Sequence, residues 1–194
     1  MRYPKDHKKQ ARASILAAAS QALKEKGFQG IGVDGLAASA QVTSGALYSN
    51  FGSKEAFLEQ VVDAQLGAEF AVVDDPDPAE RRRRLVEFLG VYLGEDHRGD
   101  VAHGCVMPSL SADVSRASDS VREVYQRRML DLVALLAPAM QGPPDERERR
   151  AWTAVASMVG AVTIARALPD GDQARSVLDA VLQATTKAVT GDSA

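Results

Sequence analysis

Residues 42–54, with the sequence VTSGALYSNFGSK, predict a short helix over 43–50 that has little to bury. Thr43 stands where a helix N-cap is expected, and Leu47 and Phe51 form the apolar side. The other side carries only small or polar residues, which are Ser44, Gly45, Ala46, Ser49 and Asn50. Isolated helices shorter than about 12–15 residues are marginal in water. The helix therefore needs support from its neighbours on one side, and its polar side is available to another molecule.

Helical spacing of apolar residues recurs along the chain, whereas the period-two alternation of strands is hard to find. We therefore predict an all-α protein. Two predicted helices precede the short one, over residues 5–26, ended by Gly27, and over residues 33–40. One long helix followed by two short ones is typical of a helix-turn-helix unit, in which the third helix enters the major groove of DNA.

Capping residues, prolines and glycines divide the rest of the chain into further predicted helices. Ser53 caps a fourth helix that extends to about Val73, and Asp77-Pro78 opens a fifth that reaches about Leu93. A polar loop is predicted at 94–104. The remaining predicted helices cover 107–116, 118–136, 145–168 (capped by Asp145) and 172–189. At 194 residues and 45% apolar content, the chain can bury a substantial core.

Charge separates the start of the chain from the rest. Residues 1–60 contain eight Lys or Arg against five Asp or Glu, a net charge of +3, whereas the whole chain has a net charge of −3. A basic segment attached to an acidic body is typical of a protein that binds a polyanion through one part of its chain. Lys5, Lys8, Lys9 and Arg12 are candidates for contacts with phosphates or with the minor groove.

Residues 27–54 resemble the DNA-binding signature of the TetR family. The resemblance rests on Gly27-Phe28, Val33, Leu36-Ala37, Ala40, Val42-Thr43, Gly45, Leu47-Tyr48, Phe51 and Lys54. It implies an N-terminal three-helix helix-turn-helix DNA-binding domain over 1–53. It also implies a C-terminal helical domain for effector binding and dimerisation over 54–194.

Three residues depart from the family pattern. The family often has Thr where this chain has Gly32, and a branched or charged residue where it has Gly35. A glycine inside the predicted helix 33–40 costs about 1 kcal/mol relative to alanine, so Gly35 is expected to loosen the unit. Gln41 replaces a frequent glycine, which would accept a positive φ freely, so the geometry of the turn is open at this point.

The resemblance and the side-chain chemistry together predict the DNA contacts. Tyr48 would contact phosphate through its hydroxyl and Lys54 through its charge. Gly45 would let the backbone approach the DNA, Asn50 would pair with adenine, and Ala46 would touch a thymine methyl group. The helix has no Arg or Lys for a bidentate contact with guanine. The predicted DNA-binding residues are Thr43, Ser44, Gly45, Ala46, Tyr48, Ser49, Asn50 and Lys54.

The family resemblance also implies a homodimer and a small-molecule effector. In the family, the last two helices form the dimer interface, and the predicted helix 145–168 has small residues that allow close helix approach. These are Ala154, Ser157, Gly160, Ala161 and Ala165. The alternative is that they pack inside the chain's own core. Candidate residues for an apolar or aromatic effector, each also an ordinary core residue when taken alone, are Phe70, Phe88, Tyr92, Met107, Tyr125, Met129 and Trp152.

We therefore predict a transcriptional repressor that binds a palindromic operator in double-stranded DNA as a dimer and is released by its effector. Activation instead of repression stays open. Two alternatives remain: a helical ligand carrier or interaction protein without an operator, and a helical enzyme. The enzyme is the weaker one because the sequence has no P-loop and no G-x-S-x-G motif.

Other patterns are interpreted as structural. The G-x-G-x-x-G match at residues 30–35 has no preceding strand, so no dinucleotide cofactor is predicted. The run Arg81–Arg84 is expected to pair with nearby carboxylates, which are Asp74, Asp75, Asp77 and Glu80. His97, His103 and Cys105 lack zinc-site spacing, so no metal is predicted. Cys105 is interpreted as a packed residue, with a redox-sensing thiol as the alternative.

We expect neither a membrane-spanning segment nor a signal peptide from the sequence. No apolar run approaches the roughly 20 residues that cross a bilayer, and the first ten residues, MRYPKDHKKQ, lack an apolar stretch. A cytoplasmic location is therefore expected.

Overall fold

The computed structural model describes residues 5–191, with side chains from Lys8 onward. Every regular element within this range is helical, which confirms the all-α prediction. The α-helices are α1 (Lys5–Gly30), α2 (Val33–Ser39), α3 (Ser44–Phe51), α4 (Lys54–Gln65), α5 (Pro78–Tyr92), α6 (Glu95–Gly99), α7 (Val106–Val114), α8 (Asp119–Leu136), α9 (Pro144–Ala167) and α10 (Asp172–Thr190). Two 3₁₀ segments lie at Ala68–Val73 and Ala137–Ala139. In the described range, no helix has both the length and the apolar character needed to cross a membrane.

The chain forms two compact units. The first combines the chain up to Leu66 with Val101–Gln126, so it contains α1 to α4, α7 and the start of α8. The second combines Gly67–Asp100 with the chain from Arg127 onward, so it contains α5, α6, the end of α8, α9 and α10. This division by compactness differs from the functional division predicted after residue 53, which stays a prediction.

The core of the first unit joins its first three helices. Leu23 of α1, Leu36 of α2 and Leu47 of α3 are completely buried, and α2 packs against both α1 and α3. Burying a leucine side chain contributes about 1.5–3 kcal/mol, so these contacts hold helices that would be unstable alone. The regular part of α1 ends at Gly27, as predicted, because its φ of 71° bends the chain before residues 28–30.

Segment 101–126 belongs to the first unit because polar contacts tie it to α1 and α4. The Lys24 ammonium donates to the carbonyl of Gly104 at 2.9 Å. The amide of Phe28 donates to the Asp113 carboxylate at 3.0 Å. The amide of Ser118 likewise donates to a carboxylate on α4, at 2.8 Å. These contacts bring residues from the second half of the chain onto the helix-turn-helix unit.

The turn between α2 and α3 retains a left-handed residue without using glycine. Gln41 has a φ of 56°, and its amide donates to the carbonyl of Ala38 at 3.0 Å. The amide of Val42 donates to the carbonyl of Ala37 at 2.9 Å. A left-handed conformation costs a non-glycine residue roughly 1–2 kcal/mol. Glutamine therefore adopts the conformation that favours glycine, at an energetic cost.

Side-chain packing explains why residue 35 is glycine, which the sequence alone did not. A Cβ atom built on Gly35 would lie 2.8 Å from Cγ1 of Ile31, and Ile31 is itself buried. An alanine here would force the isoleucine to move. The glycine therefore makes room for a core side chain, which offsets its low helix propensity.

The core of the second unit is formed mainly by α9 and α10, and α5 packs against α10. Ala154, Ala161 and Ala165 are at most 5% exposed, while Ser157 and Gly160 are half-buried. The small-residue stripe predicted at the dimer interface thus lies largely in the chain's own core, which is the alternative that the sequence left open. Since these alanines are already covered, they are not available to a partner subunit.

Two predicted element boundaries are wrong. The fourth helix ends at Gln65 and not at Val73, because Gly67 takes a left-handed φ of 77° and a 3₁₀ segment follows. The predicted loop 94–104 contains α6. Arg98 of this helix is 9% exposed, and its guanidinium donates to two carbonyl groups at the end of α9 and to the Asp170 carboxylate at 2.8–3.1 Å. Contacts with a distant segment thus hold a helix of five residues.

In the run Arg81–Arg84 three arginines pair with carboxylates, as predicted, while Arg82 instead donates to the carbonyl of Ala139 at 2.9 Å. The guanidinium groups of Arg81, Arg83 and Arg84 lie 2.6–3.1 Å from carboxylate oxygens of Asp74, Asp75 and Glu80. Hydrogen bonds from two of these arginines lower the pKa of Glu80 to about 2. Asp77 instead caps α5 by accepting a hydrogen bond from the amide two residues later, at 3.0 Å.

Candidate nucleic-acid interface

Helix α3 has the two sides that its sequence predicts. Leu47 is completely buried and Phe51 is 6% exposed. The Phe51 ring packs edge-on against Phe57 of α4, with 5.0 Å between the ring centroids. On the other side Tyr48 is 50% exposed, and none of the predicted DNA-binding residues is buried. The exposed ones are Thr43, Gly45, Tyr48 and Ser49, and the half-buried ones are Ser44, Ala46, Asn50 and Lys54.

The start of α3 is capped as predicted, but one of its hydroxyl groups has an unexpected partner. The Thr43 hydroxyl accepts a hydrogen bond from the amide of Ala46 at 3.1 Å. The Ser44 hydroxyl donates to the carboxylate of Asp34, an exposed residue in the first turn of α2. Sequence reasoning placed Ser44 among the DNA-binding residues and missed Asp34. A phosphate at this position would have to compete with a carboxylate that also repels it.

Gly45 is not required by the fold. A Cβ atom built on it would have its nearest neighbour, the hydroxyl oxygen of Thr43, at 3.9 Å. An alanine would therefore fit without any movement, and would favour the helix by about 0.5–1 kcal/mol. Gly35 differs because its missing Cβ makes room for Ile31. The space beside Gly45 faces outward, where it would allow another molecule to approach the backbone.

The end of α3 turns its polar side chains back onto the helix. The side-chain amide of Asn50 donates to the carbonyl of Ala46 at 2.8 Å, and the Ser49 hydroxyl donates to the same carbonyl at 2.9 Å. Serine and asparagine often bond to their own helix in this way. Asn50 keeps a second N–H and its side-chain oxygen, the two groups that a bidentate contact with adenine needs, and that contact stays a prediction.

Two cations predicted to contact DNA have partners inside the first unit. Arg12 donates to the carbonyl of Asn50 at 3.2 Å and to the side-chain oxygen of Gln60 at 3.1 Å, and its guanidinium lies 4.8 Å from the centroid of the Phe51 ring. The Lys54 ammonium donates to the carbonyl of Phe28 and lies 4.2 Å from the centroid of that residue's ring. Sequence reasoning did not find these contacts.

Of the lysines before Arg12, Lys8 and Lys9 make no comparable contact with the residues that the structure describes. Lys8 and Lys9 are exposed near the start of α1. The side chain of Lys5 lies outside the described residues. Lys8 and Lys9 therefore remain the simplest candidates for contacts with phosphates.

The second unit brings three of the predicted effector residues together. The ring centroids of Phe70, Phe88 and Tyr92 lie 4.6–5.8 Å from one another. The His97 ring lies 4.5 Å from that of Tyr92, and its Nδ1 is 2.6 Å from the Tyr92 carbonyl oxygen. The result is an aromatic cluster with imidazole at one edge.

The other predicted effector residues occupy different environments. In the first unit Met107 is buried, and the Tyr125 hydroxyl lies 2.7 Å from that of Ser111. Burial raises the pKa of Tyr125, and its hydrogen bond with Ser111 partly opposes the rise. In the second unit Met129 is 9% exposed and Trp152 is 37% exposed. Trp152 therefore lies at the surface of the protomer.

Cys105 caps a helix. It is 3% exposed, and its Sγ accepts a hydrogen bond from the amide of Met107 at the start of α7, at 3.4 Å. This is the packed role that the sequence favoured. Across the described residues, no three His, Cys, Asp or Glu side chains form a group that could hold a metal ion.

Comparison with known sequences identifies the N-terminal segment. Residues 15–61 match the family described as "Bacterial regulatory proteins, tetR family". The chain is 26% identical over 133 residues to the HTH-type transcriptional repressor NemR of Escherichia coli, and the match covers 67% of each chain. It is 31% identical over 116 residues to the HTH-type transcriptional repressor DhaR of Mycobacterium sp. strain GP1, covering 57% of this chain and 56% of DhaR. These relatives are transcriptional regulators and not enzymes.

Solved structures show the same fold over almost the whole chain. The reduced form of Escherichia coli NemR has a TM-score of 0.74 at 22% identity, covering 95% of this chain and 100% of NemR. A transcriptional regulator of the TetR family from Cytophaga hutchinsonii has a TM-score of 0.75 at 21% identity, covering 94% of both chains. At these identities the structures show a shared fold.

Proposed function

We propose that the chain is a transcriptional repressor of the TetR family that binds the major groove of its operator through α3. The outward side of this helix carries the proposal. Its residues are small or polar and none is buried. The fold has room for a side chain at position 45, yet the residue there is glycine. Such a surface suits an approach to base edges. The names of the relatives NemR and DhaR support repression over activation.

We propose that Tyr48 anchors α3 to the phosphate backbone. Its side chain is 50% exposed, and its hydroxyl has no hydrogen-bond partner among the residues that the structure describes. Phosphate contacts fix the orientation of a protein on DNA without reading its sequence. The phosphate contact of Lys54 would require its ammonium to use a second donor or to leave the carbonyl of Phe28.

We propose that a homodimer forms through the outward sides of the last two helices. On α9, Trp152 is 37% exposed and Ile164 is 52% exposed, although the opposite side of the helix is already buried. Large apolar side chains are enriched in interfaces, and a two-fold axis would present two copies of α3 to inverted half-sites. The proposed contact uses these residues in place of the buried alanines.

We propose that a small apolar or aromatic effector releases the DNA. Phe70, Phe88 and Tyr92 form an apolar aromatic cluster whose chemistry suits such a ligand. Because Phe70 and Tyr92 are at most 2% exposed, the ligand would have to open this cluster to enter it. For release, the effector must bind more tightly to the conformation that fits DNA poorly, by a coupling energy of about 1–3 kcal/mol. Titration of the protein–DNA complex with candidate aromatic compounds tests this step, and unchanged DNA affinity at saturation would count against it.

The test of DNA binding is selection of duplexes from a random library by the purified protein, followed by titration at several salt concentrations. A repressor is expected to select an inverted repeat and to bind it with a steep salt dependence. Tyr48→Phe should weaken binding to the selected duplex and to a scrambled one equally. Asn50→Ala should instead relax the preference at one base pair. Failure to select any sequence, with an effector still bound, would favour a ligand carrier.

A further inference from the structure

We propose that Arg12 is a positioning residue for DNA recognition, which fixes the C-terminal end of α3 between α1 and α4 and does not bind phosphate. The inference rests on the proposed function, because it assigns a role in the DNA contact of α3. It departs from the prediction made from charge alone, which placed Arg12 on the DNA. The contacts of its guanidinium group carry the argument.

Arg12 satisfies a carbonyl group at the end of α3. Helix α3 ends at Phe51, so the carbonyl of Asn50 lies in the last turn, where the helix itself supplies no amide partner. The Nε of Arg12 donates to this oxygen at 3.2 Å. A cation at a helix C-terminus also interacts favourably with the helix dipole. Arg12 thus contacts the backbone of α3 in the last turn of the helix, just before the chain turns towards α4.

The same guanidinium also contacts α4 and an aromatic ring. Its Nη2 donates to the side-chain oxygen of Gln60 at 3.1 Å, and its Cζ atom lies 4.8 Å from the centroid of the Phe51 ring. Phe51 packs against Phe57 of α4 as well, at 5.0 Å. One side chain from α1 therefore makes a polar contact with each of the two neighbouring helices and covers the aromatic residue between them. A shift of α3 relative to α4 would break at least one of these contacts.

The chemistry of arginine distinguishes this role from a phosphate contact. A lysine can replace arginine as a point charge near phosphate, but it cannot supply two diverging N–H donors and a flat surface over a ring. Loss of one phosphate contact also lowers the slope of log affinity against log salt by about 0.9. Loss of a positioning contact should weaken binding to the preferred sequence and leave that slope unchanged.

The experiment compares Arg12→Lys, Arg12→Met and Gln60→Leu with the wild-type protein. The probes are the duplex that the wild-type protein selects from a random library and a scrambled duplex of the same length, each titrated over a series of salt concentrations. We expect both Arg12→Lys and Gln60→Leu to lose about five- to tenfold in affinity for the selected duplex, with little change for the scrambled one. All three variants should keep the wild-type salt slope.

Two controls make the result specific. Lys9→Ala removes an exposed cation near the start of α1, and it should lower the salt slope by about 0.9. The double variant Arg12→Lys/Gln60→Leu should bind no more weakly than the worse single variant, because both changes remove the same contact. Thermal melting shows whether each variant is folded at the assay temperature. If Arg12→Lys or Arg12→Met is unfolded at that temperature, Gln60→Leu, which retains Arg12, tests alone whether Arg12 positions α3.

Specific results would overturn the inference. If Gln60→Leu bound the selected duplex with wild-type affinity, Arg12 would have no positioning role. If Arg12→Met lowered the salt slope by about 0.9 while Arg12→Lys bound like the wild-type protein, Arg12 would contact phosphate. A wild-type protein that selects no sequence would overturn the proposed function, and this inference with it. Selection by the wild-type protein combined with unaffected Arg12 and Gln60 variants would overturn the inference alone.

Discussion

Helices α3 and α9 both carry small side chains at helical spacing, but these lie in opposite environments. In α3, Gly45 and Ser49 are exposed, whereas in α9, Ala161 and Ala165 are at most 2% exposed. The difference follows from the large apolar residues on each helix. α3 has eight residues and a single apolar side, while α9 has 24 residues and large apolar side chains both buried and exposed. Small residues therefore indicate that a neighbour approaches the helix closely. The large apolar residues decide whether that neighbour is another helix of the same chain or a separate molecule.

The largest expected effect tests the buried side of α9. Ala161→Leu adds three carbon atoms to a position that is 2% exposed and should lower the free energy of unfolding by about 1–3 kcal/mol. The matched control Ala134→Leu lies at an exposed position on α8, in the same unit but outside the proposed dimer interface, and should change it by no more than about 0.5 kcal/mol. Chemical denaturation at several protein concentrations measures both. If Ala161→Leu changed only the concentration dependence, the alanine would belong to a subunit interface instead.

The next effect tests the exposed side of α3. Gly45→Ala should raise the free energy of unfolding by about 0.5–1 kcal/mol and yet weaken binding to the selected duplex by about tenfold, because the added methyl group separates the backbone from the DNA. Gly90→Ala is the matched control, since that glycine is exposed within α5 and has no atom within 4 Å of its Cβ position. It should stabilise the protein similarly without affecting DNA binding. Unchanged DNA affinity for Gly45→Ala would mean that the backbone of α3 does not approach DNA there.

Local sequence predicted most of the helices and both sides of α3. Thr43, Ser53 and Asp77 cap their helices as expected, because a cap depends on residues within three positions of one another. Leu47 and Phe51 identified the buried side of α3 because they are four residues apart on a helix too short for a second apolar side.

Long-range contacts were not predicted. Arg12 and Asn50 are 38 residues apart, and Lys54 and Phe28 are 26 apart, so no local pattern joins them. Charge therefore placed Arg12 on DNA, and charge together with the family resemblance placed Lys54 there. α6 was missed for the same reason, because Arg98 holds it to carbonyl groups 67 and 70 residues away. Which side of α9 is buried also depends on how α10 packs against it.

A smaller effect is expected at the turn that leads into α3. Gln41→Gly should relieve roughly 1–2 kcal/mol of left-handed strain at a φ of 56°, and the greater entropy of unfolded glycine should remove about 0.5–1 kcal/mol of that gain. We expect a net stabilisation of about 0.5–1 kcal/mol in thermal or chemical unfolding, with DNA affinity unchanged. Gln126→Gly, at an exposed position in the interior of α8, should instead destabilise the protein. A loss of stability in Gln41→Gly would show that the glutamine side chain contributes more than its backbone costs.

The smallest effect concerns the carboxylate beside α3. Asp34→Asn removes a negative charge next to Ser44 while keeping the size of the side chain and an oxygen that can accept the serine hydroxyl. It should therefore raise the affinity for selected and scrambled duplexes alike by about two- to threefold at low salt, since exposed charges near phosphate interact by roughly 1 kcal/mol or less in water. The gain should shrink as salt shortens the Debye length. Asp96→Asn makes the same charge change at an exposed position on α6 and should leave DNA affinity unaltered. Weaker binding by Asp34→Asn would mean that the carboxylate orients Ser44 in the DNA complex, and the outward side of α3 would then include a residue of α2.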